Sequence, residues 1–205
     1  NELLNEKITL KESIKLKNIN FSYDQNQKLI LKNINLEIKK GDKIGIKGTT
    51  GSGKTTLSHL IIGLLNPTDG QLIIDDVEIN NQNKNSWYKN ISVIPQVIFL
   101  NDVSIAQNIA IGVDPKDIDM KKIKEVAKQA QIIEFVESLP EKYETRVGER
   151  GVKLSGGQRQ RIGIARALYR SAKIILFDEA TNQLDTNTEA SIMNSISDLD
   201  KEITV

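Results

Sequence analysis

Apolar and polar positions alternate in the first part of the chain. Between residues 14 and 38, isoleucine, leucine and phenylalanine recur at short intervals with lysine and asparagine between them. This alternation predicts antiparallel strands with one buried and one solvated face, and the polar segment 24–28 predicts the turn between them. Residues 43–47 predict a short strand that runs into a glycine-rich loop and then into a helix that extends to Leu65. Residues 71–75 and 91–94 predict two further strands.

In most of the rest of the chain, apolar side chains recur at the three- to four-residue spacing of a helix. Apolar side chains recur at helical spacing over residues 118–139, and Pro140 closes that segment. Two more helices are predicted at about residues 156–170 and 186–199, the second with Asp185 as its N-cap. Residues 173–178 form a nearly unbroken apolar run that ends in an acid, which is typical of a parallel strand buried on both faces. The pattern predicts one α/β domain in which the middle helices are an insert.

Composition narrows the classes of function. The chain has 205 residues, 28 Lys and Arg against 27 Asp and Glu, no Cys and one His. Its net charge of +1 lacks the basic excess expected of a protein that binds nucleic acid through phosphates, so no nucleic-acid partner is expected. Disulfides, thiolate zinc sites and imidazole metal clusters are excluded. No apolar run approaches the about 20 residues of a spanning helix. The absence of a starting Met favours a piece of a longer protein.

The most specific local motif is glycine-rich. Residues 48–55 match the G-x-x-x-x-G-K-[ST] phosphate loop, in which backbone N–H groups and the start of the next helix hold a triphosphate. Lys54 is expected to reach the β- and γ-phosphates, Thr55 to bind Mg²⁺ and Thr56 to contact the α-phosphate. The alternative is a glycine-rich turn before a helix. The candidate phosphate-binding residues are Gly48, Thr49, Thr50, Gly51, Ser52, Gly53, Lys54, Thr55 and Thr56.

Two acids follow the apolar run at residues 173–177. Asp178 matches the acid that holds Mg²⁺ through its water shell in phosphate-loop ATPases. Glu179 is placed to take a proton from an attacking water, as a general base. A loop-capping role is the alternative for both. Together with Lys54, the pair favours nucleotide hydrolysis.

A second glycine-containing helix start lies between these motifs. Residues 154–158, Leu-Ser-Gly-Gly-Gln, precede the helix predicted at 156–170 and are called the signature segment below. Ser155, Gly156, Gly157 and Gln158 predict a second anion-binding helix N-terminus. An ordinary N-capped helix with incidental glycines is the alternative. A second phosphate-facing surface suggests that it serves the nucleotide of another copy.

With these motifs the chain resembles the nucleotide-binding domain of an ATP-binding cassette (ABC) transporter, of the exporter type found in bacterial half-transporters. The resemblance covers about residues 14–205. It implies an α/β fold: a phosphate-loop (RecA-like) ATPase core with an antiparallel β subdomain and an inserted helical subdomain at residues 97–158, truncated at its C-terminus. Residues 1–13 are expected to be the linker from a membrane domain. The implied function is ATP binding and hydrolysis that power an exporter through ATP-driven dimerisation.

The resemblance also assigns roles to single residues. Tyr23 matches the aromatic residue that stacks on adenine, and Gln96 matches the glutamine that contacts Mg²⁺ and the attacking water. The catalytic set is then Glu179, Gln96 and Lys54, and the metal set is Thr55, Gln96 and Asp178. Residues 145–151 resemble an exporter segment in which Glu149 faces the transmembrane coupling region; a solvated charged turn is the alternative.

The implied cofactors are ATP and Mg²⁺. The implied partners are a second nucleotide-binding domain, identical or not, that docks head to tail, and a transmembrane domain fused at the N-terminus. The domain is expected at the cytoplasmic face of the inner membrane and to be soluble in isolation. An importer subunit or a soluble ABC protein is the main alternative, and a DNA-repair-type ATPase head is a weaker one because the chain lacks sustained heptads.

Two departures from the family pattern concern hydrolysis. Asn182 and Gln183 stand where the family usually has Ser-Ala, which puts communication across the dimer in doubt. The histidine that contacts the γ-phosphate in the family has no counterpart, because the one histidine, His59, falls in the helix after the phosphate loop. We therefore expect the 205-residue chain to hydrolyse ATP slowly.

Overall fold

The computed structural model describes residues 8–24, 28–178 and 186–205, although the side chains of 186–189 lie outside the description. The chain divides into two compact units. The first comprises Asn1–Ile91 and Lys201–Val205, and the second comprises Ser92–Asp200. Within the described ranges, no helix combines the length and the apolar character needed to cross a membrane.

The first unit contains a four-stranded antiparallel sheet. Its strands are β1 (Ser13–Phe21), β2 (Leu31–Lys39), β3 (Asp69–Ile74) and β4 (Val77–Glu78), in the order β2-β1-β3-β4. On β1, the alternating side chains of Ile14 and Leu16 are buried, and Ile14 is paired with Ile38 on one side and Ile74 on the other. The predicted antiparallel strands are confirmed, because alternation assigned the correct face of β1 to the core.

A carboxylate at the β3–β4 turn fixes the segment that leads into β1. The Asp75 carboxylate accepts backbone N–H bonds from Lys11, Glu12 and Ser13 at 3.0, 2.8 and 2.9 Å. Burial opposes its charge, but these three bonds and the charge of Lys11 outweigh burial and lower the pKa of Asp75. The ionised carboxylate therefore stabilises the entry to β1 at neutral pH.

The described part of the first unit also contains the helices α1 (Lys54–Ile61) and α2 (Lys84–Tyr88), and α2 includes the fully buried Trp87. The strand predicted at residues 43–47 is not a regular strand. Ile44 N–H donates to Val205 O at 2.8 Å and Val205 N–H donates to Asp42 O at 2.9 Å, a parallel pairing that flanks Lys43. Among the described residues this single pairing replaces the ladder that a full strand needs.

The second unit is mainly helical. Its elements are β5 (Ile91–Ile94, which starts at the boundary), α3 (Ile105–Ile109), α4 (Met120–Gln129), α5 (Ile133–Ser138), α6 (Gly156–Tyr169), β6 (Ile174–Phe177) and α7 (Thr186–Ser197). β5 pairs with β6, and α6 packs against α3 and α4. The N-cap predicted at Asp185 lies outside the described residues.

The helix predicted over residues 118–139 is two helices. Gln131 adopts a left-handed conformation with φ of 52°. Its N–H donates to Lys128 O at 3.0 Å, and Ile132 N–H donates to Ala127 O at 2.9 Å. These two bonds form a Schellman motif, which ends α4 and turns the chain into α5.

Candidate functional site

The phosphate loop depends on glycine for its backbone. Gly51 and Gly53 have φ of 79° and 91°, which favour glycine. A Cβ on Gly53 would lie 3.1 Å from Ile30 Cγ2 and from Leu31 Cδ2. Position 53 therefore favours glycine, both because of its positive φ and because the apolar side chains of Ile30 and Leu31 would crowd a Cβ.

The loop lysine is held by the loop itself. Lys54 Nζ donates to Gly48 O at 3.0 Å and to Thr49 O at 3.1 Å, and its side chain is half-buried. These carbonyls orient the ammonium towards the loop without neutralising it. The ammonium can exchange such neutral acceptors for phosphate oxygens, which form stronger, charge-assisted bonds.

The N-terminus of α1 suits an anion. Gly53 is its N-cap, no side chain caps it, and its first turn contains no acid. The first N–H groups of a helix have no intrahelical acceptor, and the helix dipole adds a positive potential there. The donor set at this helix start therefore fits a phosphate group.

Tyr23 lies in the same unit as the loop. Its ring is 64% exposed and packs edge-on against Phe21, with ring centroids 5.0 Å apart. Its hydroxyl shares a hydrogen bond of 3.2 Å with Oγ1 of Thr56, which is buried in α1. The structure thus brings the candidate adenine-stacking ring, most of it exposed, to the helix that follows the phosphate loop.

Asp178 and the segment that leads from β5 to Gln96 lie at the same edge of the two-stranded sheet in the second unit. Asp178 N–H donates to Ile94 O at 3.0 Å, which brings the carboxyl ends of β5 and β6 side by side. Gln96 is exposed two residues beyond Ile94, and Asp178 is half-buried. Glu179, Asn182 and Gln183 lie outside the described residues.

The signature segment begins α6 with a capping box. Ser155 Oγ accepts from Gln158 N–H at 3.2 Å, and Gln158 Oε1 accepts from Ser155 N–H at 2.8 Å. Ser155 is exposed, and its hydroxyl hydrogen is left to donate. Gly156 and Gly157 form an acid-free first turn. The segment therefore caps its own helix and keeps donors for an anion.

Sequence reasoning missed the residues of α6 that hold the backbone around Gln96. Gln160 Nε2 donates to Gln96 O at 3.2 Å. Arg166 donates to Phe99 O at 3.2 Å and to Asn108 O at 2.9 Å. Burial, and then the charge of Arg170, lower the pKa of the Arg166 guanidinium. Because the acceptors are backbone carbonyls, no sequence motif marks these contacts.

The structure also describes His59 and Glu149, two further residues that the sequence singled out. His59 is in the last turn of α1 and is half-buried. Glu149 is exposed and begins a short 3₁₀ turn, Glu149–Gly151, which follows Gly148 with its φ of 76°. In the structure, His59 is therefore a residue of the helix after the loop.

Comparisons with known proteins agree on one family. The sequence model of the family described as "ABC transporter" matches residues 31–182. The chain is 42% identical over 190 residues to the heterocyst differentiation ATP-binding protein HepA of Nostoc sp., an overlap of 93% of this chain and 31% of HepA. It is 36% identical over 195 residues to the ATP-dependent lipid A-core flippase of Haemophilus influenzae, an overlap of 95% of this chain and 33% of the flippase.

A solved structure gives the same result. The fold matches that of a bacterial Atm1-family ABC exporter with ATP bound, with a TM-score of 0.81 and 35% identity over 96% of this chain and 35% of that one. The chain therefore spans about a third of the length of these relatives. The family match covers more than half of the chain and includes the phosphate loop, Asp178 and the signature segment. The chain accordingly has the α/β ABC ATPase fold and belongs to the ABC transporter family as one of its ATP-binding ATPase domains.

Proposed function

We propose that this domain binds and hydrolyses ATP to power an exporter, and that ATP binding drives it to dimerise. The observation that carries the proposal is the phosphate loop, where Lys54 is held by loop carbonyls beside an uncapped helix N-terminus. The relatives named as a flippase and as an Atm1-family exporter support export as the process that is powered. As in such exporters, residues 1–13 would be a linker and residues 97–158 a helical subdomain.

The described residues fit ATP with Mg²⁺. The exposed ring of Tyr23 would stack on adenine, a contact worth about 1–3 kcal/mol. The loop N–H groups, Lys54 and the first turn of α1 would hold the phosphates. Thr55, which is exposed, and Asp178 offer the hydroxyl and carboxylate oxygens that Mg²⁺ prefers. When bound, Mg²⁺ supplies positive charge that neutralises the phosphate oxygens.

The hydrolytic step needs few groups. A water oxygen bonds to the γ-phosphorus while the bond from that phosphorus to the bridging oxygen of ADP breaks. Glu179 would accept a proton from the attacking water, and Gln96 would orient that water. Lys54 would stabilise the charge that develops on the phosphoryl oxygens, the kind of preorganised stabilisation that contributes most to such reactions.

The signature segment supports a head-to-tail dimer. Its serine is exposed with one hydroxyl hydrogen to donate, and its first turn is free of acids. In the proposed dimer, Ser155, Gly156, Gly157 and Gln158 of a second copy contact the nucleotide bound at Lys54. Each nucleotide is then held by two chains, so its binding favours the closed pair.

Exposed apolar side chains in the second unit support a membrane-domain partner. Val97 and Phe99 are 67% and 61% exposed beside Gln96. Ile105 N–H donates to Thr145 O at 3.1 Å and Val147 N–H donates to Val103 O at 3.2 Å. These bonds tie residues 145–151, which contain Glu149, to the chain that follows Phe99. We assign these segments to the surface that docks on a transmembrane domain, at the cytoplasmic face of the membrane.

The test uses the full-length protein with Glu179→Gln. We expect this variant to bind Mg·ATP, to lose nearly all turnover and to accumulate as a closed dimer, because removal of the base blocks the step that opens it. Size-exclusion chromatography with and without Mg·ATP measures the dimer. Glu125→Gln is the matched control, since Glu125 is exposed on α4. Wild-type turnover in Glu179→Gln would contradict the role of Glu179 as base, and a monomer in Mg·ATP would contradict ATP-driven dimerisation.

A further inference from the structure

Gln160 on α6 is a buried amide with one satisfied and one unsatisfied end. It is 5% exposed, and its Nε2 donates to the backbone carbonyl of Gln96 at 3.2 Å. Its Oε1 is buried and has no hydrogen-bond partner among the residues that the structure describes. Among the described residues, the amide is therefore anchored by its hydrogen bond to Gln96 O.

This arrangement is unfavourable for stability alone. A buried polar atom without a partner costs free energy, whereas an apolar side chain of similar shape carries no such cost. A methionine at this position would fill nearly the same volume and adapt to the site. An amide at this position is therefore explained by its contact with the Gln96 carbonyl rather than by packing.

The neighbouring positions of α6 contact other residues of the segment 96–99, and Gln160 binds the Gln96 carbonyl. One helical turn further along α6, Gly163 lies against Ile98, where a Cβ would be 2.8 Å from Ile98 Cδ1. Another turn on, Arg166 binds Phe99 O. Positions 160, 163 and 166 share one face of the helix. They fix residues 96, 98 and 99 in turn, and Gln160 is the contact made to Gln96 itself.

We propose that Gln160 is a positioning residue that sets the backbone, and through it the side chain, of Gln96 for hydrolysis. The inference rests on the proposed role of Gln96 in orienting the attacking water. Because Ser155 is the N-cap of α6, the same helix that presents the signature segment also holds Gln96. A shift of α6 that brings its signature segment to a nucleotide therefore also moves Gln96.

Gln160→Met in the full-length protein tests the proposal. We expect kcat to fall about fivefold to tenfold, the effect of one lost hydrogen bond. The KM for ATP is expected to change by less than about twofold, because Gln160 contacts the positioning segment rather than the phosphate loop. The melting temperature should stay close to that of the wild type, because removal of the buried unsatisfied acceptor offsets the loss of the hydrogen bond to Gln96 O. A lower melting temperature, or an unfolded variant, would mean a structural role and would overturn the proposal.

A double substitution distinguishes this inference from the function on which it rests. In a Gln96→Ala background, Gln160→Met should cause little further loss of kcat, because the side chain that it positions is absent. A multiplicative further loss would overturn the proposal. Gln129→Met, on the exposed surface of α4, is the control and should leave kcat unchanged.

The two possible failures have different signatures. If Gln96→Ala itself retains wild-type kcat, the proposed role of Gln96 in hydrolysis is wrong. If Gln96→Ala lowers kcat and Gln160→Met does not, the hydrolytic role stands and the positioning role of Gln160 is rejected.

Discussion

The part of the chain that the structure describes contains two glycine-containing helix starts that suit an anion, at α1 and at α6, and they are built differently. The start of α1 has Gly53 as its N-cap, no capping side chain and a lysine held over the loop by carbonyls. The start of α6 has a complete capping box between Ser155 and Gln158. Both lack acids in the first turn.

The difference lies in how far each helix start satisfies its own hydrogen-bond donors without a ligand. At α1 the N–H groups and the Lys54 ammonium have no strong acceptor within the loop, so a phosphate gains the full value of the charge-assisted bonds. At α6 the serine and glutamine already satisfy part of the helix end. We therefore expect α1 to provide most of the affinity for ATP, and α6 to provide a weaker contact that matters when a second copy brings the nucleotide.

Lys54→Ala should have the largest effect. It removes the one mobile cation of the phosphate loop, and charge-assisted bonds of about 1.5–3 kcal/mol correspond to a roughly tenfold to hundredfold change in affinity. Isothermal titration calorimetry with Mg·ATP on the 205-residue chain measures this change.

Lys17→Ala is the matched control for Lys54→Ala, since Lys17 is exposed on β1 of the same unit and has the same charge. Unchanged affinity in Lys54→Ala would reject the phosphate-loop assignment. A loss in Lys17→Ala as large as that in Lys54→Ala would show that general charge, rather than the loop, drives binding.

The two helix starts were predictable from sequence because their signals are local. Glycines at fixed offsets before Lys54 and a serine three residues before Gln158 each mark a helix N-terminus. The helix ends were harder to predict. The left-handed residue just beyond the end of α1 is Gly63, with φ of 74°. The left-handed residues just beyond α4 and α6 are Gln131 and Ser171, with φ of 52° and 57°, where the glycine that usually marks such an end is missing.

What sequence reasoning missed depends on distant partners. The five-residue helices α2 and α3 are too short for an apolar period to show. Among the described residues, the expected strand at residues 43–47 has only the pairing around Lys43 with Val205 instead of a neighbouring strand along its length. At the site, Gln160 and Arg166 bind backbone carbonyls, which every residue type offers, so only the folded backbone shows their role.

Gly53→Ala should have an intermediate effect. An alanine at φ of 91° is strained by about 1–2 kcal/mol, and its Cβ would crowd Ile30 and Leu31 at 3.1 Å. The strain shifts the start of α1, so we expect a roughly tenfold loss of ATP affinity together with lower stability. Calorimetry and urea unfolding measure the two quantities.

Gly45→Ala is the control for this glycine, because nothing lies within 4 Å of a Cβ at Gly45 and its φ is not in the left-handed region. It should leave the ATP affinity unchanged. Wild-type affinity in Gly53→Ala would mean that the loop conformation at the N-cap of α1 does not determine phosphate binding, and the contrast with α6 would lose its basis.

Ser155→Ala should have the smallest effect and gives the sharpest test of the contrast. It removes the cap of α6, at a cost of about 1 kcal/mol in the free energy of unfolding, and leaves the ATP affinity of the 205-residue chain unchanged. Ser104→Ala removes an equivalent capping box at α3 and should destabilise to a similar extent. In the full-length protein, turnover should fall in Ser155→Ala and not in Ser104→Ala. Equal losses would assign the effect to helix stability, and the proposed contact between α6 and a second copy's nucleotide would be wrong.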